Sequence, residues 1–397
     1  LKKLTCLRSL SHFVASNCNG LGELLHLNEL KGELKISHLE HFKLKGSRRA
    51  HDYLKQKQRL EGLVLRWNHN DEDSEKEKHS LSEHYHDQIL SQHLEPHPNL
   101  DRLSIIGYQD NQFPGWLLSL NKLVDIGLYN CPNCKYLPIE DSVLANLKRL
   151  TFMSLGSLRY ITETDKDNGC KELRLERVKI RDCPNLMSWW KNPGTHTLLL
   201  LLLLLLSYLV PYISELVVVD CSKLISMPLF PNLDQKLVLD CSNMEPLLRT
   251  LRYKSGSLSK LTHLTIINVD EKQYPQQEEL LKNFTSHESL DIRDFKALKS
   301  IKGWKHLVAL QNLHIANCTD IDLPSKEWQG LKNLTNLVIE DMPNLESLPN
   351  EIEHLVRLDN LEIKSCPKLR TVPNGFGGQF PFANIVIEDC PEFVFFA

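Results

Sequence analysis

Cys131 and Cys134 form the sequence's one C-x-x-C pair, the motif best placed to bind metal or exchange disulfides. A structural zinc site takes four ligands. No second C-x-x-C and no paired H-x-x-x-H follow at zinc-finger spacing, so no metal is expected there. His79, His84, His86, His93 and His97 cluster beside the charged run Asp71-Glu-Asp-Ser-Glu-Lys-Glu-Lys78. Imidazoles at that density could bind metal or titrate near neutral pH. The 40-residue gap between Leu60 and Leu100 reads more simply as a solvated insertion between two units of a pattern. Serines and histidines are frequent, but neither G-x-S-x-G nor a Cys/His signature occurs, so no catalytic residue is assigned. Asn283, Asn317 and Asn333 begin Asn-x-Thr triplets, which carry no meaning in a chain that stays inside the cell.

The composition narrows the classes further. Lys+Arg is 47 against 50 for Asp+Glu, a net charge of −3, which excludes a basic nucleic-acid arm or an acidic tail as the main theme. Eleven cysteines, an odd number spread over the whole chain, do not make a compact disulfide framework and suggest a reducing compartment, cytoplasmic or nuclear. The chain opens Leu1-Lys-Lys-Leu4, without an initiator Met or signal-peptide layout, as a fragment would. Leu198–Val210 contains an unbroken leucine run, Leu198–Leu206, but its 13 residues fall short of the ~20 that span a bilayer. No membrane span is expected, and the run reads as low-complexity sequence inside a loop.

The elements that must position any functional residue come from the leucines, 74 of 397 residues. At ~150 residues per domain the length suggests two or three domains, but the spacing says otherwise. Leu310-Gln-Asn-Leu313-His-Ile315-Ala-Asn-Cys318 recurs from Leu334, Leu358 and Phe382, each start 24 residues after the last. This is the L-x-x-L-x-L-x-x-N/C leucine-rich-repeat pattern. Looser copies start at Leu60, Leu100, Leu123, Leu147, Leu175, Ile213 and Leu261. At Leu237-Val-Leu239-Asp-Cys241 the leading leucine is out of register, and at His287 a histidine takes its place.

Leu-x-Leu has the two-residue period of a strand, so both side chains enter one core. A single repeat cannot bury that face alone; stacking makes the core. The expected fold is therefore an α/β-type solenoid, a leucine-rich-repeat horseshoe of about 12–14 repeats. A parallel sheet would line the concave face, with irregular, 3₁₀ or short helical convex segments. Cys-Pro-Asn-Leu186, Met-Pro-Asn-Leu345-Glu-Ser-Leu348-Pro349 and Cys-Pro-Lys-Leu369-Arg-Thr-Val372-Pro373 supply the convex punctuation, because proline fixes the turn and removes a donor. The expected divisions are repeats at 1–68, an acidic, His-rich insertion at 69–93, and a solenoid at 94–397 interrupted at 198–206.

The residues between the leucines alternate outward onto the concave face. Candidate protein-binding residues are Glu176, Arg177, Lys179, Arg181, Glu288, Asp291, Arg293, Gln311, Asn312, His314, Asn336, Val338, Glu340, Asp359, Asn360, Glu362 and Lys364. Their mixed sign suits a protein partner better than nucleic acid.

Several stretches resemble the C-terminal leucine-rich-repeat region of plant coiled-coil NB-ARC disease-resistance proteins. They are Leu4-Thr-Cys-Leu7-Arg-Ser-Leu10-Ser-His-Phe13, Leu27-Asn-Glu-Leu30-Lys-Gly-Glu-Leu34-Lys-Ile36-Ser-His-Leu39-Glu40, Pro96-His-Pro-Asn-Leu100 and Cys131-Pro-Asn-Cys134-Lys-Tyr-Leu137-Pro138. The resemblance implies a recognition and regulatory domain of an intracellular immune receptor. Its partners would be a pathogen-derived or guarded host protein and the receptor's own NB-ARC module, and it would hold no cofactor. No G-x-x-x-x-G-K-[ST] P-loop occurs here, so nucleotide switching is not assigned to this chain. The alternatives are an extracellular repeat receptor or inhibitor, which would show Gly-x-Ile-Pro elements and paired cysteine caps, and a substrate receptor of the F-box type, which an upstream F-box would reveal.

Overall fold

The computed structural model describes residues 3–15, 20–41, 52–68, 91–137, 141–162, 171–191, 208–254, 256–269, 281–295, 303–318, 325–373 and 384–394. The leucine run 198–206 and most of the expected insertion, 69–90, lie outside the described residues.

Two compact units divide the chain: residues 1–210 with 226–228, and residues 211–225 with 229–397. In chain order the first contains β1 (His12–Val14), β2 (Gly32–Ser37), β3 (Leu60–Arg66), β4 (Arg102–Ile106), β5 (Asp125–Tyr129), β6 (Arg149–Met153), β7 (Tyr160–Thr162), β8 (Lys171–Glu172), β9 (Arg177–Arg181), β10 (Ser188–Trp190) and β11 (Tyr208–Leu209). Its main ladder runs β1-β2-β3-β4-β5-β6-β9, all parallel. Two short ladders, β7 with β10 and β8 with β11, lie outside it. The second unit carries β12 (Glu215–Val219), β13 (Lys236–Asp240), β14 (His263–Ile267), β15 (Ser289–Arg293), β16 (Asn312–Ala316), β17 (Asn336–Glu340), β18 (Asn360–Lys364) and β19 (Asn384–Glu388). These pair in parallel, each with the next. Parallel neighbours in strict chain order are the topology of a leucine-rich-repeat solenoid.

Each repeat is built the same way. The two strand leucines are buried, as with Leu313 and Ile315, Leu337 and Ile339, or Leu361 and Ile363. The leading leucine, such as Leu310, Leu334 or Leu358, is fully buried behind them. At ~1.5–3 kcal/mol for each buried aliphatic side chain, these stacked columns are the main stabilising term. The backbone between repeats is tied at the second position. The Gln311 carbonyl accepts from both Thr335 and Asn336 N–H, and the Thr335 carbonyl from both Asp359 and Asn360 N–H.

At the strand exit the residue before the pattern's closing Asn/Cys position makes the turn. Asn130, Ser154, Asp182, Asp220, Asn268, Asp294, Asn317, Asp341, Ser365 and Asp389 all have φ between 45° and 59°. Short polar side chains tolerate this left-handed region best after glycine. The turned N–H then adds one bond to the ladder, as from Asn317 to Glu340 O and from Asp341 to Lys364 O, both 3.0 Å. The next residue is buried at every one of these exits except the last, where Cys390 is partly exposed. Where a buried cysteine follows, its thiol faces the carbonyl two residues back: Cys131 to Tyr129, Cys221 to Val219, Cys318 to Ala316 and Cys366 to Lys364, at 3.2–3.3 Å.

At β13 the frame is clear. Cys241 occupies the left-handed position with φ 45°, and Ser242 takes the buried slot. Its hydroxyl donates to Asp240 O at 2.7 Å.

The convex segments are the expected short ones. They include 3₁₀ turns at Gly115–Ser119, Trp304–His306, Ser325–Gly330 and Asn350–His354, and helices α1 (Asp141–Leu144) and α2 (Glu245–Tyr253). The proline punctuation closes four-residue turns, with Leu186 N–H bonded to Cys183 O and Leu369 N–H to Cys366 O, both 3.1 Å. Among the described residues no helix is long and apolar enough to cross a membrane.

Candidate protein-binding face

The third, fifth and seventh positions of each repeat stand opposite the buried leucines and form the open face of a ladder. In the second unit, register brings Asn312, Asn336, Asn360 and Asn384 into one row. A second row is Asp291, His314, Val338 and Glu362, and a third Arg293, Ala316, Glu340 and Lys364.

The first row is a side-chain amide ladder. Asn336 Nδ2 donates to Asn312 Oδ1 at 2.6 Å, and Asn360 Nδ2 to Asn336 Oδ1 at 2.6 Å. Each amide uses one end as donor and the other as acceptor, so the chain of bonds runs one way across the repeats.

The other rows hold a charged network. Arg293 donates to both Asp291 oxygens, Nε to Oδ1 at 2.7 Å and an Nη to Oδ2 at 2.6 Å. The His314 ring lies between two carboxylates, with Nδ1 3.4 Å from Asp291 and Nε2 3.5 Å from Glu340. Lys364 Nζ donates to Glu362 at 2.9 Å. The hydrogen bond Arg293 donates to Asp291, and that carboxylate's charge with those of Glu340 and Asp294, hold the guanidinium above its usual range. Glu362, then Glu388 and Glu340, do the same for Lys364. Both groups keep their charge, and opposite signs are paired within β15 and within β18.

Four of the candidate residues do not share the strand alternation. Glu176, Glu288, Gln311 and Asp359 stand one position ahead of their strands. Their carbonyls or N–H groups tie neighbouring repeats, and Glu176 pairs with Lys148 at 2.7 Å. The first unit places Arg177, Lys179 and Arg181 together, exposed on β9.

The same face of that unit carries residues the sequence frame implied but did not single out. Arg149 Nε donates to Asp125 at 2.8 Å. The Tyr129 ring folds over Gly127, where an added Cβ would lie 2.6 Å from the ring. Burial, then the charge of Asp125, raises the Tyr129 hydroxyl's pKa. These residues occupy the third, fifth and seventh positions of repeats already in frame, so enumerating the frame would have found them.

Cys131 and Cys134 are both buried. Burial pushes the Cys131 thiol up to about 12 and Cys134 higher still. Cys134 donates to Asp110 O at 3.0 Å. Burial thus favours the neutral thiol at both positions.

The family model described as R13L1/DRL21 LRRs matches residues 21–158. The putative disease resistance protein RGA4 of Solanum bulbocastanum is 34% identical over 170 residues, 41% of this chain and 16% of that protein. The putative disease resistance protein RGA1 of the same species is 28% identical over 305 residues, 75% of this chain and 27% of that protein. The chain therefore spans well under a third of the length of these curated relatives. Among solved structures, an internalin from Listeria monocytogenes is 15% identical with a TM-score of 0.40, over 91% of this chain and 87% of that one. By its repeat-by-repeat architecture the chain is a leucine-rich-repeat solenoid, similar over residues 21–158 to that repeat family and, in sequence, to plant disease resistance proteins.

Proposed function

We propose that this region is the recognition and regulatory part of an intracellular immune receptor, acting by protein binding rather than catalysis. Its open face, centred on β15–β18, meets a protein partner, either a pathogen-derived or guarded host protein or the receptor's own NB-ARC module. One observation supports this above the others. Repeats locked in register align three rows of mostly polar side chains, and the charges within them are held by neighbours rather than left to wave in solvent. Such a surface loses little side-chain entropy on docking and discriminates by sign. Binding there would bias a two-state equilibrium in the attached module.

The test is association in trans. The chain is expressed with a matching NB-ARC fragment, and complex formation is measured beside a variant carrying Glu340→Lys and Lys364→Glu. The proposal expects the fragment to bind the parent chain and the double variant to bind at least tenfold more weakly. No association, together with no effect of the chain on activation, would overturn the regulatory half.

A further inference from the structure

We propose that His38, Glu40 and His41 form a binding site for a zinc-class divalent metal ion at the exit of β2. The three residues follow the strand directly. His38 takes the left-handed exit conformation with φ 59°. A 3₁₀ turn, Leu39–His41, begins at once, anchored by fully buried Leu39. The His41 N–H closes that turn onto the His38 carbonyl at 3.2 Å.

In a 3₁₀ turn the side chains at i and i+3 eclipse. The His38 and His41 rings accordingly stack, 9° from parallel with centroids 5.8 Å apart. Glu40 lies between them in sequence, and its Oε1 lies 3.1 Å from His38 Nδ1 and 3.4 Å from His41 Nε2. One donor atom from each residue lies within 4.8 Å of the other two.

Those spacings fit a metal. Zinc binds imidazole nitrogen and carboxylate oxygen at about 2.0–2.2 Å, and a tetrahedron with such bonds has edges of about 3.3–3.6 Å. Two of the three edges are thus already close to their bound length, and only the two rings need to converge. Two histidines and one carboxylate suit zinc, cobalt or nickel rather than magnesium or calcium.

The carboxylate is also held in place. Its side chain is only 10% exposed, and its second oxygen accepts the Asn68 backbone N–H at 2.8 Å. A ligand whose far atom is fixed by the next repeat has the outer-shell support of built metal sites. The histidines are more open, which leaves a fourth position to water. Without metal, His38 Nδ1–H donates to Glu40; on binding, the ring keeps its one proton on Nε2 and gives the Nδ1 lone pair to the ion, and because protonation of either imidazole competes with the metal, affinity falls on acidification. Because Asn68 closes β3, the bound ion would staple the exits of two adjacent repeats. No sequence signature marks the site, since H-x-E-H is a ligand spacing only in the tight turn found here.

The full chain is titrated with zinc chloride by calorimetry, and with cobalt(II) followed by visible absorption. The proposal expects one site with a Kd of about 10 μM or tighter and low-symmetry cobalt bands. His38→Asn keeps a residue that tolerates the left-handed backbone. It and His41→Ala should each weaken binding at least tenfold, with the far-ultraviolet circular dichroism unchanged. A chain with His79, His84 and His86 replaced by alanine should bind as the parent does. Absence of saturable binding, binding that survives His38→Asn with His41→Ala, or binding lost only in the His79/His84/His86 variant would each overturn the proposal.

Discussion

The His287 ring packs against Phe284, centroids 4.3 Å apart, and neither of its ring nitrogens has a hydrogen-bond partner. His287 fills the leading slot of its repeat, where leucine stands elsewhere, and is fully buried. Burial, with a small push from His263, lowers its pKa to about 3. An unpartnered polar ring in an apolar slot costs about 1–3 kcal/mol, so His287→Leu should stabilise the chain by that order at pH 7.

The same residue gives a pH dependence. Between pH 6.5 and about 3 the unfolded chain binds a proton at this position that the folded chain refuses. Stability therefore falls as pH drops through that window, by about 1.4 kcal/mol per unit from this group. Urea unfolding at pH 7 and pH 4.5 should show the advantage of His287→Leu widening at the lower pH. An unchanged gap would mean that the ring is hydrated or partnered in solution.

Lys57 is the corresponding case with a cation. Its Nζ is buried and donates to Leu24 O at 2.7 Å and Asn28 Oδ1 at 3.5 Å. Burial lowers its pKa to about 8. The folded chain then holds fewer protons than the unfolded one between pH 8 and 10.5, so this group makes stability rise with pH across that interval. Lys57→Met gives up the bond to Leu24 O but no longer buries a charge. It should lie within about 1 kcal/mol of the parent at pH 7 and lose the alkaline rise, as thermal melts from pH 7 to 10 would show.

The left-handed exits separate two kinds of position. Asp341→Asn should be neutral, whereas Asp341→Val should cost about 1–2 kcal/mol, because a β-branched residue resists that backbone. Gly107, with φ 77°, occupies the same exit in β4, but there an added Cβ would lie 2.2 Å from the Trp67 carbonyl oxygen. Gly107→Asn, harmless by analogy with Asn130 or Asn317, should instead cost about 3 kcal/mol or more, since backbone must move. Paired denaturation curves for the three variants check the contrast.

Asn336 accepts from Asn360 and donates to Asn312, both at 2.6 Å. Asn336→Ala removes both ladder bonds and a weaker one to Thr335 Oγ1 at 3.2 Å, and should cost about 1–2 kcal/mol. Asn312→Ala, at the end of the row, removes one ladder bond and a long contact to Glu288 O at 3.5 Å, and should cost about half as much. Equal losses in the two would show that the amides do not act as a chain.

Most of the fold was legible because stacked leucines impose a period. The 24-residue frame places Leu313, Leu337 and Leu361 in the core and their neighbours in register, and it marks His287 as the odd member of its column. What the frame hid was finer. At β13 the leading leucine is out of register, and the left-handed and buried slots fall to Cys241 and Ser242. A serine in the core slot carries no hydrophobic signal that would mark it. The face was legible as a set of positions but not as a network. That Arg293 clasps Asp291 within its own strand while His314 reaches into the strands on either side depends on side-chain length and rotamer. The H-x-E-H turn was missed for a related reason, since its geometry comes from eclipsed side chains that no periodicity encodes.

The paired N–H groups that each second-position carbonyl receives have a genetic corollary. In the regular block, the Gln311 and Thr335 carbonyls each receive the same two donors from the repeat 24 residues on. Unequal recombination that duplicates or deletes one such interval rejoins a carbonyl to an equivalent pair of donors, and the seam is invisible to the backbone. The face then gains or loses a strand's worth of side chains without a new turn having to evolve. In the first unit, where successive strands are separated by unequal stretches of chain, the same accident leaves mismatched neighbours, so new specificity is more readily acquired in the regular block.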